Sequence, residues 1–468
     1  MAAMTRIVII GGGPAGYEAA LVAAQLGAEV AIVEPAGLGG ACVLYDCVPS
    51  KTFIATAETM SAFRGAGRLG VRAGDPTEVS VDAPVVHGRV KDLALAQSAD
   101  VRARMLREGV RLVTGTARFA ASQPTRSTYT IEVPDAGETL EADVVLLATG
   151  ASPRILPDAQ PDGERILTWR QVYDLPEPPE HLIVVGSGVT GAEFASAYNE
   201  MGVPVTLVSS RDRVLPGEDS DAAAVLERVF TERGMQILSR ARARAVRRTD
   251  KGAVVELEDG RSIDGSHALM TVGSVPNTAD LGLEHVGVQL GPGGYITVDR
   301  VSRTTAPGIY GAGDCTGVLL LASVAAMQGR IAMYHALGEA VSPLRLKTVS
   351  ANVFTSPEIA TVGIQQKAIE EGRVPARTVT LPLATNARAK MQGLQDGFVK
   401  MFCRPATGGV IGGVVVAPQA SELILPIAMA VRNSLTVEQL AGTFVVYPSM
   451  SGSVTEAARR LMVHDDLD

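Results

Sequence analysis

The stretch Arg6–Gly16, RIVIIGGGPAG, joins a short apolar run directly to a cluster of glycines. An Ala-rich segment with helical character follows at Tyr17–Leu26, and Gly27 then leads into a second apolar run, Ala28–Val33. A strand, a glycine-rich turn, a helix and a second strand in this order are typical of a βαβ unit. The N-terminal region is therefore predicted to form a parallel sheet with a crossover helix.

The same arrangement recurs 175 residues further along the chain. The apolar run Leu182–Val185 leads into Gly186–Gly191, GSGVTG, then a helix-like segment at Ala192–Met201 and a second strand at Val203–Val208. One glycine-rich turn is weak evidence, but two copies in the full βαβ context favour two dinucleotide sites over two ordinary turns. In such sites the glycines let the backbone approach a pyrophosphate at a helix N-terminus.

The residues that end the two second strands predict different ligands. Glu34 can accept hydrogen bonds from a ribose with a free 2′-hydroxyl, as in FAD or NAD. The equivalent position holds Ser209, followed by Ser210 and Arg211, so a carboxylate is missing and a cation is added. The second site is therefore expected to accept NADPH at least as well as NADH. A solvated surface role for Arg211 and Arg213 is the alternative.

Composition narrows the remaining function classes. The net charge of -8 disfavours nucleic acid and anionic lipid as partners, and no apolar run is long enough to span a bilayer. A cytoplasmic protein is expected. Of the four cysteines, Cys42 and Cys47 alone lie close together, which indicates redox chemistry. No metal is expected, because no other cysteine or histidine lies nearby in the sequence.

The cysteine pair lies in Gly39–Lys51, GGACVLYDCVPSK, and this segment resembles the pattern GGxCxxxxCxPSK of the pyridine nucleotide–disulfide oxidoreductases. The resemblance extends through Thr305–Asp314, Asp396–Lys400 and Ala420–Ile424, and so covers essentially the whole chain. It implies an α/β fold with two Rossmann-like nucleotide-binding domains, for FAD and NAD(P), and a C-terminal α+β dimerisation domain in a homodimer. The expected boundaries are 1–150 and 268–344 for the two parts of the FAD domain, 151–267 for the NAD(P) domain and 345–468 for the dimerisation domain.

The resemblance also implies roles for individual residues. Cys47 matches the thiol next to the flavin and Cys42 the thiol that attacks a disulfide, although two structural cysteines are the alternative. Lys51 would lie near the flavin and pair with Glu193, and Asp314 would bind the ribityl chain. The residues expected to bind FAD and the nicotinamide nucleotide are Gly11, Gly13, Pro14, Ala15, Gly16, Glu34, Gly40, Ala41, Cys42, Lys51, Thr149, Gly150, Gly313, Asp314, Gly186, Gly188, Val189, Thr190, Gly191, Ser209, Ser210, Arg211 and Gly273.

The chain departs from the family pattern near its C-terminus. Disulfide reductases carry His-Pro-x-x-x-Glu there, whereas this chain has Tyr447 and Gly452 in place of the His and the Glu. A phenol titrates near pH 10 rather than 6.5, and loss of a general acid–base costs about 10²–10⁴ in rate. Asp46, beside Cys47, would further disfavour a thiolate if it faces the sulfur.

These departures favour transfer of electrons from the flavin to a quinone over transfer to a disulfide. The chain also resembles an actinobacterial subgroup of lipoamide-dehydrogenase-like proteins with quinone reductase activity. The expected function is therefore an NAD(P)H:quinone oxidoreductase, with Tyr447 helping to shape the quinone site. The alternatives are a disulfide reductase with an unusual small substrate, a soluble transhydrogenase and a flavin-binding sensor.

Overall fold

The computed structural model describes residues 4–72, 79–122 and 128–462. They form two compact units, each made of three stretches of chain. The first unit takes the described residues of Met1–Thr52, His87–Arg154 and Gly273–Arg345, and the second takes those of Phe53–Val86, Ile155–Val272 and Leu346–Asp468. The two βαβ units thus fall in different compact units. The four-segment division into domains stays an interpretation, and the segment 53–86, expected in the first FAD part, groups with the second unit.

Strands and helices are numbered along the chain. Strands β1 to β23 of the described residues are Arg6–Ile10, Glu29–Val33, Arg111–Val113, Arg118–Phe119, Tyr129–Val133, Glu138–Ala142, Val144–Leu147, Ala151–Pro153, Ile166–Leu167, Leu182–Val185, Val205–Val208, Gln236–Leu238, Ala243–Thr249, Gly252–Leu257, Ser262–Gly265, His267–Met270, Ser274–Pro276, Ile309–Gly311, Ser350–Val353, Glu358–Gly363, Arg377–Pro382, Phe398–Cys403 and Val410–Ala417. Helices α1 to α13 of the described residues are Pro14–Gln25, Gly40–Leu44, Cys47–Gly65, Ala83–Arg107, Val189–Glu200, Ser220–Glu232, Ala322–Ala336, Gln366–Glu370, Ala387–Met391, Ala420–Leu423, Leu425–Asn433, Val437–Ala441 and Gly452–Leu461.

The first unit is built on a parallel sheet in the order β18-β7-β1-β2-β3. The central strands β1 and β7 are almost wholly buried, as expected for a sheet covered on both faces. Helices α1 and α7 pack closely at Gly329. A Cβ on Gly329 would lie 2.2 Å from the carbonyl oxygen of Ala15, so this contact requires glycine. A three-stranded antiparallel sheet, β4-β5-β6, and the pair β8-β17 complete the unit.

The second unit contains two larger sheets. A parallel sheet in the order β12-β11-β10-β16-β9 carries the second glycine-rich turn, and the antiparallel sheet β13-β14-β15 accompanies it. The C-terminal part forms an antiparallel sheet, β19-β20-β23-β22-β21, against which α10, α11 and α13 pack. This order of elements confirms the α/β fold class with a C-terminal α+β part.

One expected helix is divided in two. The sequence of Ser421–Arg432 has helical character throughout and predicts a single helix, but the structure ends α10 at Leu423 and begins α11 at Leu425. Pro426 explains the break, because proline has no N–H to donate and is tolerated only in the first turn of a helix. Among the described residues, no helix combines the length and the apolar character needed to cross a membrane.

Candidate active site

The first glycine-rich turn has room for a ligand at one glycine and none at the others. A Cβ on Gly11 would lie 2.2 Å from the carbonyl oxygen of Ala148, and one on Gly16 would lie 1.9 Å from that of Gly11. Gly11 also has a φ of +109°. At Gly13, by contrast, the nearest atom to an added Cβ is 4.0 Å away. The first and last glycines therefore shape the turn, and the middle one leaves the N-terminus of α1 open to a pyrophosphate.

Glu34 directly follows β2 and is hydrogen-bonded to this turn. Its carboxylate accepts hydrogen bonds from the backbone N–H of Gly12 at 2.7 Å and of Ala36 at 2.9 Å. A carboxylate has about four lone-pair sites, so it can still accept hydrogen bonds from ribose hydroxyls. The open turn and the carboxylate together fit an adenine dinucleotide with a free 2′-hydroxyl, such as FAD.

The second glycine-rich turn repeats this geometry in the second unit. Gly186 has a φ of +116°, and a Cβ on it would lie 2.3 Å from the carbonyl oxygen of Thr271. A Cβ on Gly191 would lie 1.9 Å from the carbonyl oxygen of Gly186, whereas one on Gly188 would meet nothing within 4 Å. Val189 and Thr190 open helix α5 beside this free space. The turn thus also presents an open helix N-terminus.

The residues that follow β11 differ in accessibility. Ser209 is fully buried, and its Oγ lies 2.7 Å from the Oγ of Ser187 and accepts a hydrogen bond from the N–H of Arg211 at 3.1 Å. Ser210 and Arg211 are exposed. Ser209 was expected to contact the nucleotide, but its hydroxyl faces the protein interior. Of the three expected residues, Ser210 and Arg211 are the ones at the surface.

The cysteine pair lies against the first turn. Gly40 begins helix α2, and a Cβ on it would lie 2.9 Å from the Cα of Gly13. Ala41 and Cys42 follow in α2, and Cys47 begins α3. Both cysteines are free thiols that are mostly buried and hydrogen-bonded to each other. Among the described residues, no group of three His, Cys, Asp or Glu side chains could hold a metal ion.

Neighbouring groups shift the pKa values of the two thiols in opposite directions. The hydrogen bond from Cys47 lowers the pKa of Cys42, and the same bond together with burial raises the pKa of Cys47. The carboxylate of Asp46 raises the pKa of both thiols, and the ammonium of Lys51 lowers both. Asp46 is therefore close enough to the sulfur atoms to disfavour a thiolate, as expected.

Asp314 is a further carboxyl group of the first unit near this pair. It begins a short 3₁₀ turn after Gly313, whose N–H donates to the side chain of Gln328 at 2.9 Å. Burial, and then the charge of Asp46, raise the pKa of Asp314 to about 6. The side chain is thus near Cys42 and Asp46, and its contact with the ribityl chain stays a prediction.

The remaining expected residues of the first unit lie on the connection between β7 and β8. Asn277 fixes this connection, because its side-chain amide donates to the carbonyl oxygen of Thr149 at 2.9 Å and its own N–H donates to Gly150. Gly273 lies in the same unit, and its carbonyl oxygen accepts from the N–H of Arg154. Asn277 was not predicted as part of the site, because its partners lie more than a hundred residues away in the sequence.

Glu193 and Tyr447 both lie in the second unit. Glu193 is buried in α5 and accepts a hydrogen bond from the N–H of Phe354 at 2.9 Å. Its pairing with Lys51 stays a prediction. Tyr447 is 86% exposed in the single chain and borders a groove of about 310 Å³.

This groove is lined by aliphatic, aromatic and polar side chains from the C-terminal part. Its residues are Asn386, Ala387, Ala441, Val445, Val446, Tyr447, Pro448, Ser449, Gly452, Thr455, Glu456 and Arg459. Sequence reasoning assigned no chemistry to Asn386, yet its amide donates to the carbonyl oxygen of Ser449 at 3.0 Å and to the Oγ of Ser453 at 2.8 Å. Asn386 therefore holds the segment that follows Tyr447.

Comparison with family models decides the affiliation. The model of the pyridine nucleotide-disulphide oxidoreductases matches residues 5–329, and that of the family's dimerisation domain matches residues 349–458. The chain belongs to the pyridine nucleotide–disulphide oxidoreductases. The expected family and fold class are confirmed, and the chain is an oxidoreductase of a family that uses flavin and a pyridine nucleotide.

Relatives within this family carry two different names. The NAD(P)H dehydrogenase (quinone) of Mycobacterium tuberculosis is 64% identical over 471 residues, covering 99% of this chain and 95% of that protein. The dihydrolipoyl dehydrogenase of Chlorobaculum tepidum is 33% identical and covers 98% of this chain and 97% of its own length. The crystal structure of LpdA from Mycobacterium tuberculosis has a TM-score of 0.94 at 63% identity and covers 98% of this chain and all of that chain.

The geometry of this oxidoreductase fits both of its nucleotides but not the full chemistry of disulfide exchange. Both glycine-rich turns are open at the middle glycine, and the thiol pair lies against the first of them. Position 447 carries a phenol, and position 452 has no side chain that could orient an acid–base group. The arrangement can therefore accept reducing equivalents while lacking the family's partner for protonating a thiolate.

Proposed function

We propose that the chain is a homodimeric NAD(P)H:quinone oxidoreductase that binds FAD. The observation that carries the proposal is the phenol at Tyr447 and the missing side chain at Gly452, where disulfide reductases hold an acid–base pair. The 64% identical relative named NAD(P)H dehydrogenase (quinone) supports the same assignment. A quinone accepts electrons without a departing thiolate, so it does not need that acid–base pair.

FAD, when bound, would supply the two-electron redox chemistry that links a nicotinamide hydride donor to a quinone acceptor. The residues proposed to hold it are Glu34 at the adenosine ribose and Asp314 at the ribityl chain. Lys51 would place its positive charge near the ring and favour the electron-rich form. These roles stay proposals, supported by the open turn at Gly13 and by the carboxylates of the first unit.

The thiol pair is proposed to transfer electrons to a disulfide substrate inefficiently. The hydrogen bond between the thiols lowers the pKa of Cys42, but the same bond, burial and the charge of Asp46 raise the pKa of Cys47, which opposes formation of a thiolate at Cys47. The missing acid–base pair adds a second obstacle, worth about 10²–10⁴ in rate. Reduction of a quinone avoids both obstacles.

Tyr447 is proposed to form one wall of the quinone site. Its exposed ring borders a groove of about 310 Å³, near the lower end of the volumes typical of small-molecule sites. An aromatic ring can stack on a quinone, and a hydroxyl can donate to a quinone oxygen. Tyr447→His should therefore raise the KM for quinone, and an unchanged KM would contradict the role.

The second glycine-rich turn is proposed to accept NADPH at least as well as NADH. The position equivalent to Glu34 is the buried Ser209, so no carboxylate repels a 2′-phosphate there. Arg211 is exposed beside it and offers a fixed positive charge. A strong preference for NADH in kcat/KM would refute this assignment.

The decisive experiment compares acceptors in the flavin-loaded enzyme. Oxidation of NADPH and NADH is followed with a benzoquinone, a naphthoquinone, lipoamide and a panel of small disulfides. Variants Cys42→Ser and Cys47→Ser should keep quinone turnover, and Cys403→Ala serves as a control because Cys403 lies in β22, outside the thiol pair. Brisk turnover with lipoamide and negligible turnover with quinones would overturn the proposal.

A disulfide reductase with a small substrate is the second candidate. It is favoured by the hydrogen bond between the Cys42 and Cys47 thiols, which places the two sulfur atoms side by side. Under this assignment, either Cys→Ser variant would abolish activity with the disulfide. The same acceptor panel therefore separates the two candidates.

A further inference from the structure

Ser187 lies inside the second glycine-rich turn and has no role assigned by the sequence. It occupies the position that Gly12 holds in the first turn. Its side chain is buried, and its Oγ lies 2.7 Å from the Oγ of Ser209. The two hydroxyls therefore join the glycine-rich turn to the end of strand β11.

This hydroxyl pair also fixes the backbone of Arg211. The N–H of Arg211 donates to the Oγ of Ser209 at 3.1 Å, and its carbonyl oxygen accepts from the N–H of Arg240 at 2.7 Å. The carbonyl oxygen of Ser187 accepts from the N–H of Leu215 at 2.9 Å. The loop that carries Arg211 is thus attached to the glycine-rich turn at two points.

The first turn shows why a side chain at position 187 depends on a small residue at 209. A Cβ on Gly12 would lie 2.6 Å from the Cδ2 of Leu38 and 3.1 Å from the Cγ of Glu34. Glutamate and a side chain at the turn therefore compete for space, and the first turn has glycine. In the second turn Ser209 ends at its Oγ, and the hydroxyl of Ser187 contacts it.

We infer that Ser187 is a specificity-determining residue, which acts with Ser209 to position Arg211 for the 2′-phosphate of NADPH. The inference rests on the proposed nucleotide assignment of the second turn. Because the backbone of Arg211 is held before binding, less conformational freedom is lost when its guanidinium pairs with a phosphate. NADH has no 2′-phosphate, so its binding should not depend on where Arg211 lies.

The test uses the flavin-loaded full chain and needs no quinone. Flavin bleaching is followed without oxygen as NADPH or NADH is varied, and 2′,5′-ADP is the competing probe for the phosphate site. Ser187→Ala and Ser209→Ala should each raise the apparent Kd for NADPH and the Ki for 2′,5′-ADP by about three- to tenfold, as expected for loss of one hydrogen bond. The Kd for NADH should change less than about twofold, because no phosphate contact is lost.

Controls separate positioning from general damage to the fold. Ser239→Ala removes an exposed hydroxyl in the next loop and should change neither nucleotide. Ser187→Gly copies the residue of the first turn and should behave like Ser187→Ala. In an Arg211→Ala background, Ser187→Ala should have no further effect on NADPH, since the positioned group is absent.

Four results would overturn the inference. Equal weakening of NADPH and NADH by Ser187→Ala would show a merely structural role, as would independent, multiplying effects of Ser187→Ala and Arg211→Ala. A normal Kd for NADPH in Arg211→Ala would remove the nucleotide assignment on which the inference rests. If Arg211→Ala weakens NADPH but Ser187→Ala does not, the hydroxyl pair alone is refuted and the proposed nucleotide site stands.

Discussion

The two glycine-rich turns have nearly the same backbone but differ in the pair of residues through which each turn contacts the end of its second strand. Gly13 and Gly188 precede their helices with φ, ψ angles of -70°, -173° and -73°, -173°. In each turn, a Cβ added to the last glycine would lie 1.9 Å from the carbonyl oxygen of the first glycine. The pairs Gly12–Glu34 and Ser187–Ser209 distinguish them. Under the proposed function, the shared backbone binds a dinucleotide and the residue after the second strand selects which dinucleotide fits.

Replacing Gly191, the last glycine of the second turn, should have the largest effect, and it should affect the second turn alone. Gly191→Ala places its Cβ on the carbonyl oxygen of Gly186, a backbone atom that cannot move cheaply. Bleaching of bound flavin by NADPH should fall by at least about 100-fold, which corresponds to roughly 3 kcal/mol. Flavin content should stay normal, because the first turn is intact.

Two further glycine variants serve as its controls. Gly16→Ala should instead abolish flavin incorporation, since the same overlap occurs in the first turn. Gly217→Ala adds a Cβ that meets nothing within 4 Å and should change neither property. Normal NADPH reduction in Gly191→Ala would show that the close approach is not needed.

Removing the guanidinium of Arg211 should weaken the use of NADPH and leave the use of NADH nearly unchanged. Arg211→Ala should lower kcat/KM for NADPH by about 10- to 100-fold, because a charge-assisted contact with phosphate is lost. The value for NADH should stay within about twofold. Arg261→Ala, an exposed arginine in an ion pair with Asp259, is the matched control. Equal losses with both nucleotides would contradict a phosphate contact.

The carboxyl groups of the first unit should give that site a distinct pH dependence. The pKa of Asp314 is about 6 in the fold, above its ordinary value of 3.8. Its contribution to stability is therefore complete below about pH 4 and is lost as the pH rises through about 6. In flavin-free protein, the free energy of unfolding should fall across this window by about 3 kcal/mol, which Asp314→Asn should remove.

Asp143 provides the control of opposite sign. Its hydrogen bond with the side chain of Arg6 lowers the pKa of this carboxyl group. Asp143→Asn should therefore remove stability that is present at neutral pH and is lost in acid. Urea denaturation at several pH values measures both effects, and an unchanged pH profile in Asp314→Asn would contradict the assignment.

The smallest expected effect concerns the thiols. Asp46→Asn should lower the pKa of Cys42 and Cys47, because one of the charges that raise them is removed. Alkylation of the reduced protein by iodoacetamide at pH 7 should become about two- to fivefold faster, as more thiolate is present. Asp92→Asn, on the exposed side of α4, should leave the rate unchanged. A slower reaction in Asp46→Asn would show that Asp46 acts through backbone contacts instead.

Sequence reasoning found the parts of the molecule whose signals are local. Leu182–Val185 and Arg6–Ile10 were predicted at their observed bounds, because apolar runs before glycine-rich turns identify buried strands. Asn386 and Asn277 were missed, because each acts on backbone groups that are distant in sequence. Ser209 was expected at the nucleotide site, but its contact with Ser187 was missed, since their hydrogen bond spans 22 residues.

The segment 444–447 has a consequence for the life of the single chain. Phe444, Val446 and Tyr447 are almost entirely exposed to water. Contiguous apolar surface of this kind adheres to other apolar surfaces unless it is covered. A freshly synthesised chain would therefore be vulnerable to aggregation for as long as this segment stays uncovered.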